Sequence, residues 1–499
     1  MLFFLLIPKI IFSQVEPDFS RPFNQGSVIL LPGTSAYSGD LPHSIFTNPE
    51  RPTDSIAGWL GPHAGWFGLS GASSSGFRPS APGLFFEGIP YPFPSFDILS
   101  WLPVNASFQF LDFPAASWWG TKGSAGAVQF DFPKLNKMVS DEFTFWGGNE
   151  EIFGVSNIFK YTDASILLNY QHGTQTLTSG SGKVGIQSSY HWLEKDSMVL
   201  ETGLMAAQNT NNDNWYSVFT SLLFPNANFQ TLQIKPFFQT AQSKGKTIQE
   251  IGGQINYHLN LGGFVESHLG FGYSQLFPDG DLSRTNKGYV QGTALGDFLG
   301  MATFDAAFRF DFSNQDNTLF SYLIGLQGND GNFTLFCDIG KNPFENKNGE
   351  WLKLNAGLRF QPDANLSSTL KIIYQELGGN STNGLYFSGQ IGERRPLLMI
   401  FQRMMLKIEE QLFIDPTGTS TMDSCGTIQV SFFKQDNFYA RGRMISGHPP
   451  YLEIGGDYEF SKDLFFFAAL INLGNVPVFW NDPDQAKGVV FRAGINGQF

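Results

Sequence analysis

From about residue 140 to its end, the chain places apolar side chains at every second position, in runs long enough to cross a bilayer. Phe304, Ala306, Phe308, Phe310 and Phe312 alternate with Thr303, Asp305, Ala307, Arg309 and Asp311. Ile251, Gly253, Ile255, Tyr257 and Leu259 alternate with Glu250, Gly252, Gln254, Asn256 and His258, and Leu352, Leu354, Ala356, Leu358 and Phe360 with Lys353, Asn355, Gly357, Arg359 and Gln361. A period of two marks a β-strand with unlike faces. Runs of about 9 to 11 residues match a tilted strand with one face in hydrocarbon and the other in a polar lumen. A soluble sandwich also alternates, but its strands are usually only about 5 to 6 residues long. Because hydrocarbon tolerates no unpaired sheet edge, strands of this kind must close into a barrel.

Composition points the same way. Only 15% of the residues are charged, against roughly 25% in an ordinary soluble domain. Hydrophobic residues, at 42%, are too many for a chain that stays disordered. A net charge of −13 lacks the basic field that nucleic acid phosphates require, so no nucleic acid partner is expected. The most apolar later segment, residues 464–480, contains Asn472, Gly474, Asn475 and Pro477, which a spanning helix would leave in lipid. Runs separated by Gly, Asn, Asp and Pro turns amount to about 22 strands between residues 143 and 499. Longer turns are expected at residues 279–287, 341–349 and 416–424, and residues 397–414 read as one long strand.

The two ends of the chain carry addresses. Residues 1–13, MLFFLLIPKIIFS, have the short apolar core of a secretory signal peptide. At the other end Val489, Phe491, Ala493, Ile495 and Phe499 alternate toward a terminal Phe. This resembles the C-terminal signal by which the assembly machinery of bacterial outer-membrane barrels recognises its clients, with Phe491, Ile495 and Phe499 as its apolar positions.

Residues 14–134 lack the alternation and concentrate Pro, Gly and Ser, which sets a domain boundary near Lys134. Trp59, Trp66, Trp101, Trp118 and Trp119 mark this segment as a packed body, not a disordered leader. Leu84-Phe85-Phe86-Glu87-Gly88-Ile89-Pro90 resembles the "V-D-G-x-P" strand and turn in the plug domain of TonB-dependent outer-membrane receptors. Residues 108–130 resemble that plug's closing segment, with Pro114, Ala115, Trp119, Gly120, Ala125, Gly126 and Val128 roughly in register. Residues 54–67 and Gly76-Phe77-Arg78 are weaker matches to its helix-turn and "I-R-G" elements. The pattern is departed from at Asp112-Phe113, where the family has Arg-Gly, and at Gly126-Ala127, where it has Gly-Gly; a rewired plug charge network follows. Ser27-Val28-Ile29-Leu30-Leu31 is the nearest candidate for the segment that pairs with the TonB-type energy-coupling partner, and serves equally as the first plug strand.

The resemblance implies an all-β fold: a transmembrane antiparallel barrel of about 22 strands (residues 135–499) around an N-terminal plug (residues 14–134, core 27–134). It implies an outer-membrane location, contact with outer-membrane lipid and the barrel-assembly machinery, and an unidentified small solute admitted to the periplasm when the plug moves. Two other readings stay open, a passive porin-like channel and a structural or adhesin-like barrel that transports nothing.

The residues themselves offer no covalent chemistry. No nucleophile and base can be paired, no G-x-S-x-G occurs and the seven histidines lack metal-ligand spacing, so no enzyme activity, metal or cofactor is expected. His258 and His268 face the lumen near Glu266 on neighbouring strands. Ser179-Gly180-Ser181-Gly182-Lys183-Val184 has Val where a phosphate loop needs Ser or Thr, and reads as a turn. Pro278-Asp279-Gly280-Asp281 has too few carboxylates for a calcium site. Cys337 and Cys425 read as isolated strand cysteines. One charge pattern stands out: Arg441 and Arg443 share a face directed at Glu453, Asp457 and Glu459 on the next strand, either as wall electrostatics or as a surface for plug docking or solute passage.

Overall fold

The computed structural model describes residues 36–38, 83–93, 107–111, 127–131 and, apart from segments between strands, 140–498. The signal-peptide segment, the Ser27–Leu31 candidate, Pro114, Trp119, Gly120, Gly126 and Phe499 lie outside the described residues. Five short N-terminal strands, β1 (Ala36–Ser38), β2 (Gly83–Phe86), β3 (Ile89–Pro90), β4 (Ser107–Leu111) and β5 (Ala127–Asp131), form one sheet in the order β1-β4-β5-β2-β3. Its β2–β5 pair is parallel and the others are antiparallel. Val128 sits in β5, opposite Leu84 on one side and Phe110 on the other.

The remaining twenty-two strands, from β6 (Ser140–Gly148) to β27 (Val490–Gln498), close into a single barrel in which each strand pairs antiparallel with the next. Closure is made by β27 against β6, from Arg492 opposite Gly148 to Gln498 opposite Glu142. Side chains reinforce that seam. Asn149 donates to the Val489 carbonyl at 2.9 Å and accepts from the Phe491 amide at 2.9 Å, and the Arg492 guanidinium lies 4.6 Å from the centre of the Trp146 ring. Phe491 points outward and exposed, and Ile495 is paired with outward Phe145.

The alternation sorts the wall into two faces. Outward positions carry Leu335, Ile372 and Phe460, each more than 60% exposed, whereas inward neighbours such as Gln239, Asn355 and Glu453 are buried in the lumen. A contiguous apolar exterior of this kind is unstable in water and stable in hydrocarbon. The outer surface is also fitted together across strands. In β15 (Thr285–Phe298), Gly288, Gly292 and Gly296 stand opposite Phe312, Phe308 and Phe304 of β16 (Ala302–Ser313), and a β-carbon at any of the three would run into the facing ring.

Strand lengths depart from the sequence reading. Most strands exceed the predicted span, up to 16 residues in β13 (Lys246–Leu261), because regular pairing continues past the thickness that hydrocarbon demands. The predicted long turns shrink accordingly: β15 begins at Thr285, β18 (Phe333–Pro343) runs to Pro343 and β23 (Ser420–Ser431) starts at Ser420. The predicted strand over 397–414 is observed as β22 (Arg403–Ile414), residues 397–402 lying outside the described segments. Gly182, Lys183 and Val184, read as part of a turn, open β9 (Gly182–Lys195). No helix among the described residues is long and apolar enough to cross a membrane. Cys337 and Cys425 lie on β18 and β23 and are not joined in a disulfide.

Candidate functional site

β2 and β3 form a hairpin whose two-residue turn is Glu87-Gly88, with Phe86 paired to Ile89. Both turn residues have positive φ, 50° and 80°, the conformation that matches the twist of a two-residue hairpin and that glycine adopts without strain. Glu87 adopts it as a non-glycine residue and is 1% exposed, so the turn is held by what surrounds it.

What surrounds it is the inner wall of the barrel. From β12 (Gln230–Ser243), the Lys235 ammonium donates to the Glu87 carbonyl at 2.8 Å and lies 3.7 Å from the Glu87 carboxylate. The short contact to the carbonyl, not the longer ion pair, is the hydrogen bond. Gln239 donates to the Pro90 carbonyl at 2.8 Å, and Gln254 of β13 donates to the Gly88 carbonyl at 3.0 Å. These donors are organised by the ladder. Lys235 stands opposite Gln254 and Gln239 opposite Glu250, with Phe237 and Gly252 between them. Gln239 also donates to Glu250 at 2.5 Å and accepts from the Trp215 indole at 2.9 Å. An apolar clamp completes the seat: Phe86 meets Trp215 and Phe219 of β11 (Asn214–Asn226) edge-on at 6.2 and 6.3 Å, and Tyr91 lies 4.7 Å from Trp215.

Beside the hairpin a cavity of about 120 Å³ is bounded by Tyr91 and by inward side chains of β13, β14 (Val265–Pro278), β15 and β16. Its polar residues include Glu250, Gln254, Ser274, Lys287, Arg309 and Asp311. Arg309 donates to Asp311 at 2.8 Å and to Gln291 at 2.9 Å, with its guanidinium 3.9 Å from the centre of the Tyr289 ring.

Of the residues singled out from sequence, Glu87, Gly88 and Pro90 lie at this contact. The charge pattern of β24 (Asp436–Ile445) and β25 (Tyr451–Ser461) lies elsewhere on the wall. There the ladder sets Arg441 opposite Glu453, but Arg443 opposite Tyr451 and Asp457 opposite Asn437. Glu453 accepts from the Tyr439 hydroxyl at 2.8 Å and Asp457 from Asn437 at 3.0 Å. His258 and His268 are cross-strand partners with rings stacked 4.3 Å apart. No group of three or more metal-ligating side chains occurs among the described residues. The sequence pattern puts Gln254 on a polar strand face without giving it a role, and it does not single out Lys235, Gln239 or Trp215. The available signal was Gln233-x-Lys235-x-Phe237-x-Gln239, a run of long side chains on one face of a single strand.

No family model matches the chain, and no curated protein matches it. Solved structures do. The chain is similar to the siderophore receptor PirA from Pseudomonas aeruginosa at 12% identity, over 94% of this chain and 100% of that one, with a TM-score of 0.72. It is similar to a variant of the ferric enterobactin receptor PfeA from the same organism at 12% identity, covering 94% and 98%, with a TM-score of 0.70. PirA from Acinetobacter baumannii matches at 11% identity over 94% and 98%, also at 0.70. The shared property is the fold.

Proposed function

We propose that the chain is an outer-membrane receptor and transporter of the TonB-dependent type, which binds an extracellular solute and admits it to the periplasm by displacing an N-terminal plug. The observation that carries this reading is the hairpin bearing Glu87-Gly88, held inside the lumen by Lys235, Gln239 and Gln254. A segment hydrogen-bonded to the inner wall stands on the lumen side of the barrel, and bonds made by a few side chains can be released without unfolding the wall. The apolar exterior and the fold shared with siderophore receptors support an outer-membrane location. In this reading residues 1–13 are a signal peptide, 14–134 the plug and 135–499 the barrel. Pro114, Trp119, Gly120, Gly126 and Val128 close the plug, while Phe491, Ile495 and Phe499 address the chain to the assembly machinery. Transport is then a conformational release driven through an energy-coupling partner and needs no covalent chemistry or cofactor. Arg441, Arg443, Glu453, Asp457 and Glu459 act as lumen-wall electrostatics.

Single-channel recording tests the assignment. The full-length protein is expected to be quiet and a deletion of residues 14–134 to show a large, steady conductance. Equal conductance in both proteins would overturn the receptor reading and leave a passive channel, and ligand-independent surface binding with no conductance in either would leave a structural barrel.

A further inference from the structure

The cavity between the hairpin and β13–β16 carries chemical information about its solute, and the inference drawn from it rests on the receptor reading above. Among the described residues that line it, the basic Lys287 and Arg309 are matched in number by the acidic Glu250 and Asp311. The Arg309 guanidinium is engaged within the wall. Its edge bonds Asp311 and Gln291, and its plane covers Tyr289, whose ring lies against Gly272 so closely that a β-carbon there would collide with it.

A polyanion entering such a site loses its hydration and meets acidic groups as numerous as the basic ones, a desolvation that no surplus positive charge offsets. A solute rich in hydroxyls is treated differently. Each hydroxyl both donates and accepts, and the wall offers carboxylates, a primary amide, a serine hydroxyl, a phenol and the Lys287 ammonium within one small space. Phe85, Tyr91 and Phe237 add ring carbon for the apolar faces of such a molecule. We propose that this cavity, which is open on one side, takes one end of an uncharged, polyhydroxylated solute, a short saccharide whose remaining rings lie outside it, which sets it apart from the solved neighbours named for siderophores.

The experiment is calorimetric titration of the full-length protein with maltose, cellobiose and raffinose, beside a ferric tris-catecholate complex as the polyanionic probe. At least one saccharide is expected to bind, and the catecholate to bind more weakly or not at all. Asp311→Asn leaves the cavity with an excess of positive charge. It is expected to weaken the saccharide by about tenfold or more and to strengthen the catecholate, a crossing that general loss of structure does not produce. Tyr289→Ala, which removes the phenol and the platform under Arg309, is expected to weaken the saccharide as well. Tighter binding of the catecholate to the wild type, absence of binding by all three saccharides, or saccharide binding untouched in both variants would each overturn the proposal. The conductance comparison of full-length and plug-deleted protein separates the two levels. A quiet full-length protein that binds no saccharide removes the solute assignment alone, whereas equal conductance in both removes the receptor reading and this assignment with it.

Discussion

Replacing Lys235 with Met isolates the hold of the wall on the hairpin. Met keeps an unbranched chain beside the Phe219 ring, which the Lys235 ammonium approaches to 4.7 Å, and leaves the β12 ladder untouched. It removes a charge-assisted hydrogen bond to the Glu87 carbonyl at 2.8 Å and a cation 3.7 Å from a carboxylate that is fully buried. A hydrogen bond from a charged donor contributes about 1.5–3 kcal/mol. Withdrawing the cation from the buried carboxylate adds to that, so the docked hairpin is weakened by about 2–4 kcal/mol. At 1.4 kcal/mol per factor of ten, the displaced state becomes about 30- to 700-fold more populated. The assay is the fraction of time that single full-length channels conduct, read beside Glu87→Gln and the double variant. Lys235→Met is expected to open far more often than the wild type, and the double variant to open less than the two single effects combined predict. If Lys235→Met stays as quiet as the wild type and the effects of the two changes simply add, the bonds seen between wall and hairpin do not hold the lumen closed.

Two further outcomes follow from the same geometry. Gly88→Val places a β-branched residue at a φ of 80°, where a left-handed backbone costs about 1–2 kcal/mol or more; single-channel records should show raised conductance while the folded barrel keeps its electrophoretic mobility, and unchanged gating would show that the turn is not strained by the change. Gly292→Leu should lower the urea midpoint of the folded barrel, because overpacking against the Phe308 ring costs about 1–3 kcal/mol; adding Phe308→Ala should restore part of the loss, and an unchanged midpoint in the single variant would refute the tight packing of glycine against aromatic.

The barrel was legible because a two-sided strand writes itself into the sequence. Each outward Phe of β16 is followed by an inward residue without exception from Thr303 to Ser313, and one such strand repeated around the wall leaves closure as the only way to pair its edges. Strand ends were less legible, since pairing beyond the hydrocarbon needs no apolar face. Residues such as Lys341 and Ser420 look like turn residues and yet remain in the ladder. The seat of the hairpin was not legible at all. Lys235, Gln239 and Gln254 have the polarity of any lumen residue, and their partners lie roughly 150 positions away in the chain. Period-two reading finds which face a side chain is on; it carries no information about which distant segment that face meets.

The nature of the seat also bears on how far such a chain can drift from its structural neighbours. All three wall donors end on backbone carbonyls of the hairpin, those of Glu87, Gly88 and Pro90. A carbonyl is present whatever the side chain, so the wall reads the path of the backbone and only secondarily its sequence. What the hairpin must preserve is the turn, fixed by Gly88 at positive φ, together with one large apolar side chain, Phe86, for the cleft between Trp215 and Phe219. Recognition through backbone shape leaves most positions free to change, and a chain built this way can keep its fold at 12% identity to a receptor of the same architecture. The cavity obeys a different rule, because Glu250, Tyr289, Arg309 and Asp311 act through their side chains. Divergence there alters which solute is taken while the hairpin still docks, so the fold can be shared with siderophore receptors without the solute being shared too.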